Sequence, residues 1–221
     1  MFLTEFPVNT GRRAARQLLG SPQRIHGAVL GCFPPGQHSD KSARCLWRLE
    51  KRVGHDVVLL IASPLRPDLT ALNEIAGWST GVVGRSADYE PFLTRLAEGQ
   101  QWRFRLVANP VHNVPVDNSE RTKRLAHVTA AQQLGWLLKR AEGNGFSLGY
   151  PESPTARITA RETVSFDKGI GSERRKVTLA RAQFDGVLVI NDVDFLRHAL
   201  RFGIGKAKGY GCGLLTLAPT R

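Results

Sequence analysis

The chain has 221 residues, 42% hydrophobic and 23% charged, which supports a folded core of one large domain or two small ones. Thirty-one Lys and Arg against 19 Asp and Glu leave a net charge of +12, a field that attracts polyanions, nucleic acid foremost. No run approaches the ~18 apolar residues of a membrane span, and the first residues lack a secretion signal, so a cytoplasmic protein with no membrane partner is expected.

Residues 2–8 alternate Phe2, Thr4 and Phe6 and predict a strand. A helix is expected over 12–19 and is interrupted by Gly20-Ser21-Pro22. Ser21 can cap a second helical piece reaching Leu30, with Pro22 at its first position. Strands at 45–50 and 56–62 form a hairpin around a turn at Val53-Gly54. Residues 69–75 suggest a turn of helix, and 77–89 read as irregular.

The pattern then restarts with a strand over 101–111, in which Trp102, Phe104 and Leu106 alternate. A helix over 129–142 has Thr129 as cap and Ala130, Leu134, Leu137 and Leu138 on one face. A basic hairpin pairs 157–166 with 176–184 around Lys168-Gly169-Ile170-Gly171, and a short apolar strand follows at 186–190. Asp192 caps a helix ending at Gly203, and 214–217 is the last strand; 111–123 reads as irregular. Two cycles of strand, helix, hairpin, helix and strand predict an α+β fold of tandem ferredoxin-like (RRM-like) domains with antiparallel sheets. The expected units are residues 1–96 and 101–221, and neither carries an aromatic RNP motif.

Residues 203–213 hold five glycines and two lysines, Lys206 and Lys208. Glycines let backbone N–H groups approach phosphate, and lysines supply charge. The segment lacks the Ser or Thr of a Walker A loop and follows a helix, the reverse of a Rossmann turn. The six histidines have no metal-binding spacing, and Cys32, Cys45 and Cys212 match neither a metal site nor a disulfide framework. No metal and no small-molecule cofactor is therefore expected.

What remains is general acid–base chemistry by a lone histidine, which suffices for RNA because its own 2′-hydroxyl is the nucleophile. His26 is the best-placed candidate, between Arg24 and Gly27 and downstream of Arg12, Arg13 and Arg16. The hairpin offers Arg157, Arg161, Lys168, Arg174, Arg175 and Lys176, a ribbon suited to the groove of a structured RNA. Arg12, Arg13, Arg24, Arg157, Arg161, Arg174, Arg175, Lys176, Lys206 and Lys208 are thus the candidate RNA-binding residues.

Three motifs carry a resemblance. They are Phe104-Arg105-Leu106-Val107-Ala108-Asn109-Pro110, Phe184-Asp185-Gly186-Val187-Leu188, and the terminal run from Gly203 to Pro219. With their order and the chain length, the sequence resembles the CasE family, the CRISPR repeat-processing endoribonucleases of type I-E systems. The resemblance implies recognition of a CRISPR repeat stem-loop and cleavage at the 3′ base of its stem without metal. The products implied are a 2′,3′-cyclic phosphate or 3′-phosphate and a 5′-hydroxyl. It also implies that the enzyme stays bound and joins the other protein subunits of the RNA-guided surveillance complex. His26 matches the family's catalytic histidine. The family's tyrosine three residues earlier is Gln23 here, which cannot act as an acid or base at neutral pH. Arg24 and Lys41 are candidates for charge stabilisation, and Tyr210 is a further candidate group. That departure leaves a second reading open, a non-catalytic RNA-binding subunit of the same complex.

Overall fold

A computed structural model of the chain describes residues 1–52, 56–79, 81, 83–115, 122–150, 152–169 and 174–220. The expected turn at Val53-Gly54 and the 170–171 part of the hairpin tip lie outside the described residues.

The first half runs β1 (Phe2–Val8), α1 (Arg13–Leu19), α2 (Pro22–Leu30), β2 (Leu46–Lys51), β3 (Val57–Ser63), α3 (Thr70–Ala76), β4 (Arg85–Asp88) and α4 (Glu90–Thr94). Its sheet has the order β2-β3-β1-β4, and every pair is antiparallel. That is the strand order of a ferredoxin-like unit, with the helices on one face. Phe6, Val8, Trp47, Leu59 and Ile61 of the sheet bury against Ala15, Leu18, Ile25, Val29 and Leu72 of the helices. Pro22 stands at the first position of α2 as expected, but Ser21 makes no side-chain cap bond.

Residues 77–89 are not uniformly irregular, because Arg85–Asp88 pairs with Phe2–Glu5 as an edge strand. Its sequence, RSAD, carries no large apolar residue, so an apolar pattern cannot reveal it. A hydroxyl pair, Thr4 with Ser86 at 2.8 Å, holds it instead.

The second half comprises β5 (Gln101–Ala108), β6 (Val111–Pro115), β7 (Thr122–Ala126), α5 (Ala130–Ala141), β8 (Phe146–Ser147), β9 (Gly149–Tyr150), β10 (Ser153–Pro154), β11 (Ala156–Lys168), β12 (Arg175–Ile190), α6 (Val193–Phe202) and β13 (Leu215–Pro219). The order β11-β12-β5-β13 repeats the first topology, so the chain is a tandem ferredoxin-like α+β protein with antiparallel sheets. Three sequence expectations shift. The strand expected over 101–111 stops at Ala108, and β6 opens a separate hairpin with β7 in the stretch read as irregular. The short strand at 186–190 is the end of the 16-residue β12. Gly186 does not break it, but lets Thr155 approach, where a Cβ would collide with the Thr155 carbonyl. Finally, α5 buries Gln133, Trp136, Leu137 and Ala141, while Ala130 is exposed. Trp136 packs on Phe184 and Gln133 bonds the His127 carbonyl at 2.9 Å, which rotates the buried face.

The caps of α5 and α6 follow their sequence signals. Thr129 and Gln132 form a reciprocal capping box, and the Asp192 carboxylate accepts from the N–H groups of Asp194 and Phe195. The two sheets meet through Leu46, Ala62 and Leu214. Arg48, 1% exposed, crosses this contact. It donates to the carbonyls of Arg105 (3.1 Å) and Leu214 (2.7 Å), to Thr216 Oγ1 (2.7 Å) and to Glu50.

Candidate active site

Helix α2 turns Ile25 and Val29 into the core, which leaves His26 at the margin of the buried stripe, partly exposed. Margin positions are where a titratable group can be both held and reached. The glycine-rich segment of the second half packs against this margin, and Gly209 lies on the His26 ring. The glycines at 209 and 211 permit that approach. A Cβ on Gly211, whose φ is +77°, would meet Trp47 at 2.7 Å. Tyr210 stands between them, its ring 6.1 Å from that of His26 and inclined at 65°.

The buried face of the basic hairpin closes the other side. Phe166 of β11 packs on Tyr210 at 4.8 Å between centroids. Arg181 of β12 donates to the Tyr210 carbonyl at 2.8 Å and pairs with Glu162 at 3.1 Å. The hairpin is therefore anchored along one face to the histidine site.

The electrostatics favour a neutral imidazole in a positive field. Burial, then the nearby His38, Arg44 and Lys168, hold the pKa of His26 below its ordinary 6.5. Lys208, half-buried in the same segment, is likewise lowered by burial and by the charges of Arg44 and Lys206. Two buried polar atoms one helical turn apart, Gln23 Oε1 and His26 Nδ1, have no protein partner among the described residues. A neutral His beside fixed cations can accept a proton while the cations hold a phosphate.

The structure gathers some of the sequence candidates and disperses others. Lys206 and Lys208 lie on the segment that covers His26. Arg174, Arg175 and Lys176 are exposed at the far end of the hairpin, where Arg174 pairs with Asp167 at 2.5 Å. Arg157 lies at the near end and lines a groove of about 690 Å³ with Arg103, Arg105 and Asp185. Arg161 donates to Gln133 Oε1 at 2.9 Å and to the Val128 carbonyl, so its guanidinium braces α5. Arg12 donates to the Asn73 and Gly77 carbonyls at the end of α3. Arg24 donates to the Gln17 carbonyl at 3.0 Å, and Arg13 is exposed on α1. The site residues that sequence reasoning missed are His38, Arg44 and Arg181. No spacing links them to His26, because they reach it only through the fold.

The cysteines are buried among apolar groups, and burial raises Cys32 and Cys212 to about 11 and Cys45 to about 12. Burial thus disfavours the thiolate form at all three. No described helix is long and apolar enough to cross a membrane.

The sequence profile of the family described as "CRISPR associated protein" matches residues 1–219. The chain is 32% identical to the CRISPR-associated endoribonuclease Cse3 of Thermus thermophilus, over 99% of this chain and 100% of that one. It is 29% identical to the CRISPR system Cascade subunit CasE of Escherichia coli, over 89% and 91%. A solved structure of CRISPR endoribonuclease Cse3 bound to 19 nt RNA superposes with a TM-score of 0.81 at 30% identity, covering 99% of this chain and all of that one. On its sequence over nearly its whole length, and on its fold, the chain belongs to the CRISPR-associated protein family of Cse3 and CasE.

Proposed function

We propose that this chain is an endoribonuclease that binds the stem-loop of CRISPR repeat RNA and cuts the precursor at the 3′ base of the stem. The observation that carries this reading is His26, partly buried under Gly209 where the two halves of the chain meet, with burial and neighbouring cations holding its pKa below the ordinary 6.5. His26 takes the proton of the 2′-hydroxyl. The 2′-oxygen then bonds to phosphorus as the bond to the 5′-oxygen breaks, and that oxygen ends with a proton. The products are a 2′,3′-cyclic phosphate and a 5′-hydroxyl, and the balance needs neither water nor metal. Arg44, Lys206 and Lys208 supply positive charge to the phosphate, which gains charge in the transition state.

The exposed far end of the hairpin, with Arg174, Arg175 and Lys176, contacts the RNA backbone or groove. Arg157 is a second contact, set apart at the near end of the strand. Arg12, Arg13, Arg24 and Arg161 add to the field, and three of these four reach it with guanidinium N–H groups already committed to carbonyls. Residues 1–96 form the unit that brings the histidine, and residues 101–221 the unit that brings the hairpin and the glycine-rich segment. A relative named as an endoribonuclease and a solved relative with bound RNA support the reaction class. A relative named as a Cascade subunit supports membership of a complex with other protein subunits, which the chain joins in the cytoplasm with its product still bound.

A repeat hairpin with a 2′-deoxy sugar at the cut site tests the mechanism. It binds with the affinity of the all-ribose hairpin and stays intact, because the nucleophile is missing. Cutting of the deoxy substrate would remove the 2′-hydroxyl from the reaction.

A further inference from the structure

The endoribonuclease reading gives the site one proton-handling group, and a role for a second residue rests on that reading. A neutral imidazole that accepts the 2′-proton leaves the charge growing on the phosphate oxygens to other donors. One turn before His26, Gln23 buries an amide oxygen that has no protein partner among the described residues, and an amide oxygen accepts hydrogen bonds and cannot donate one to a phosphate. The hydroxyl-bearing ring beside His26 is that of Tyr210.

Three elements fix the direction of that ring. The glycine-rich segment carries it in a single turn of 3-10 helix, Lys208–Tyr210, followed by Gly211 in the left-handed region at φ +77°. Phe166 of β11, 7% exposed, supports the ring from behind at 4.8 Å. Arg181 of β12 holds its carbonyl at 2.8 Å and is itself paired with Glu162. The ring meets His26 edge to face, 6.1 Å between centroids, and is still partly exposed. A phenol held rigidly beside a base, and reachable from solvent, is preorganised for a ligand that the base also touches.

We propose that Tyr210 is the second catalytic residue of the site. Its hydroxyl donates a hydrogen bond to a non-bridging oxygen of the scissile phosphate while His26 takes the 2′-proton. The bond from the 2′-oxygen to phosphorus forms and the bond to the 5′-oxygen breaks. The proton taken by His26 returns through solvent to the 5′-oxygen, and Tyr210 keeps its own. The hydrogen bond strengthens as charge gathers on the phosphate, so it serves the transition state more than the bound RNA.

The test compares wild type, Y210F and Y210A in single-turnover cutting of a repeat hairpin, with hairpin Kd measured in parallel. Y210F keeps the ring against His26 and Phe166 and removes only the hydroxyl. Its cutting constant at saturating RNA falls about 10- to 100-fold, the worth of one hydrogen bond to a charged group. Its Kd stays within about twofold. Y210A loses at least as much. A Y210F that cuts at the wild-type rate shows that the ring only packs, and overturns the proposal. So does a loss that lies in Kd and disappears at saturation. A wild type that binds without cutting overturns the endoribonuclease reading itself, and the role of Tyr210 with it.

Discussion

Gly209 approaches the His26 ring so closely that a Cβ on it would stand 3.3 Å from both Cε1 and Nε2. The two residues come from opposite ends of the chain, and their contact is where the first half's helix meets the second half's glycine-rich segment. A methyl at 209 pushes the imidazole by a few tenths of an ångström, without straining a left-handed backbone. Gly209→Ala therefore lowers the cutting rate by about tenfold, with folding intact, since sub-ångström misplacement of a reacting group is costly. Gly211→Ala behaves in the opposite way. Its φ of +77° and the 2.7 Å approach to Trp47 make it a folding defect of about 1–3 kcal/mol, read by thermal or urea unfolding. If both variants lose only stability, the segment is a strut and not part of the site.

The lowered pKa of His26 sets a pH dependence. The base form acts, and burial with neighbouring cations favours that form down to a pH below 6.5. The free enzyme is reported by kcat/KM, which is flat through neutral pH and drops about tenfold per unit once His26 is protonated. The midpoint of that limb lies below 6.5. A midpoint above it would mean that an acidic group, absent from the described surroundings, dominates the histidine.

Arg48 predicts a stability effect remote from the RNA. Its guanidinium satisfies the Arg105 and Leu214 carbonyls, Thr216 and Glu50 across the contact between the sheets. Arg48→Ala leaves those acceptors without the guanidinium in a buried setting and Glu50 with only its 3.7 Å pair to Arg105, at a cost of about 3–5 kcal/mol. Chemical denaturation measures it, and a change under about 1 kcal/mol would show that water replaces the guanidinium freely.

Much of the fold was legible in the sequence, because apolar alternation and caps are local signals. Phe2, Thr4 and Phe6 mark β1, Thr129 and Asp192 start their helices, and Gly203 ends the last one. The failures have separate causes. Arg85–Asp88 is a strand by pairing and not by pattern. Gly186 imitates a strand break yet serves a close approach within β12. The buried face of α5 is turned by a polar residue, Gln133, which bonds the His127 carbonyl just before the helix and, from a strand 28 residues on, Arg161.

The site divides in the same way. His26 and the two lysines of the glycine-rich segment stood out by residue type. Arg12 and Arg24 stood out by charge, yet their guanidinium groups brace helix ends, since a sequence does not show which carbonyls an arginine will meet. Arg44 and Arg181 carried no signal, because their meaning comes from tertiary neighbours of His26 and Tyr210.

Cleavage of a labelled repeat hairpin in EDTA, by wild type and by His26→Ala, is decisive for the endoribonuclease reading. Wild type cuts once, at the base of the stem, and His26→Ala binds the hairpin equally well but cuts about 10²- to 10⁴-fold more slowly. A His26→Ala variant that cuts at the wild-type rate would contradict the acid–base role of His26. A wild type that only binds would make the chain an RNA-holding subunit.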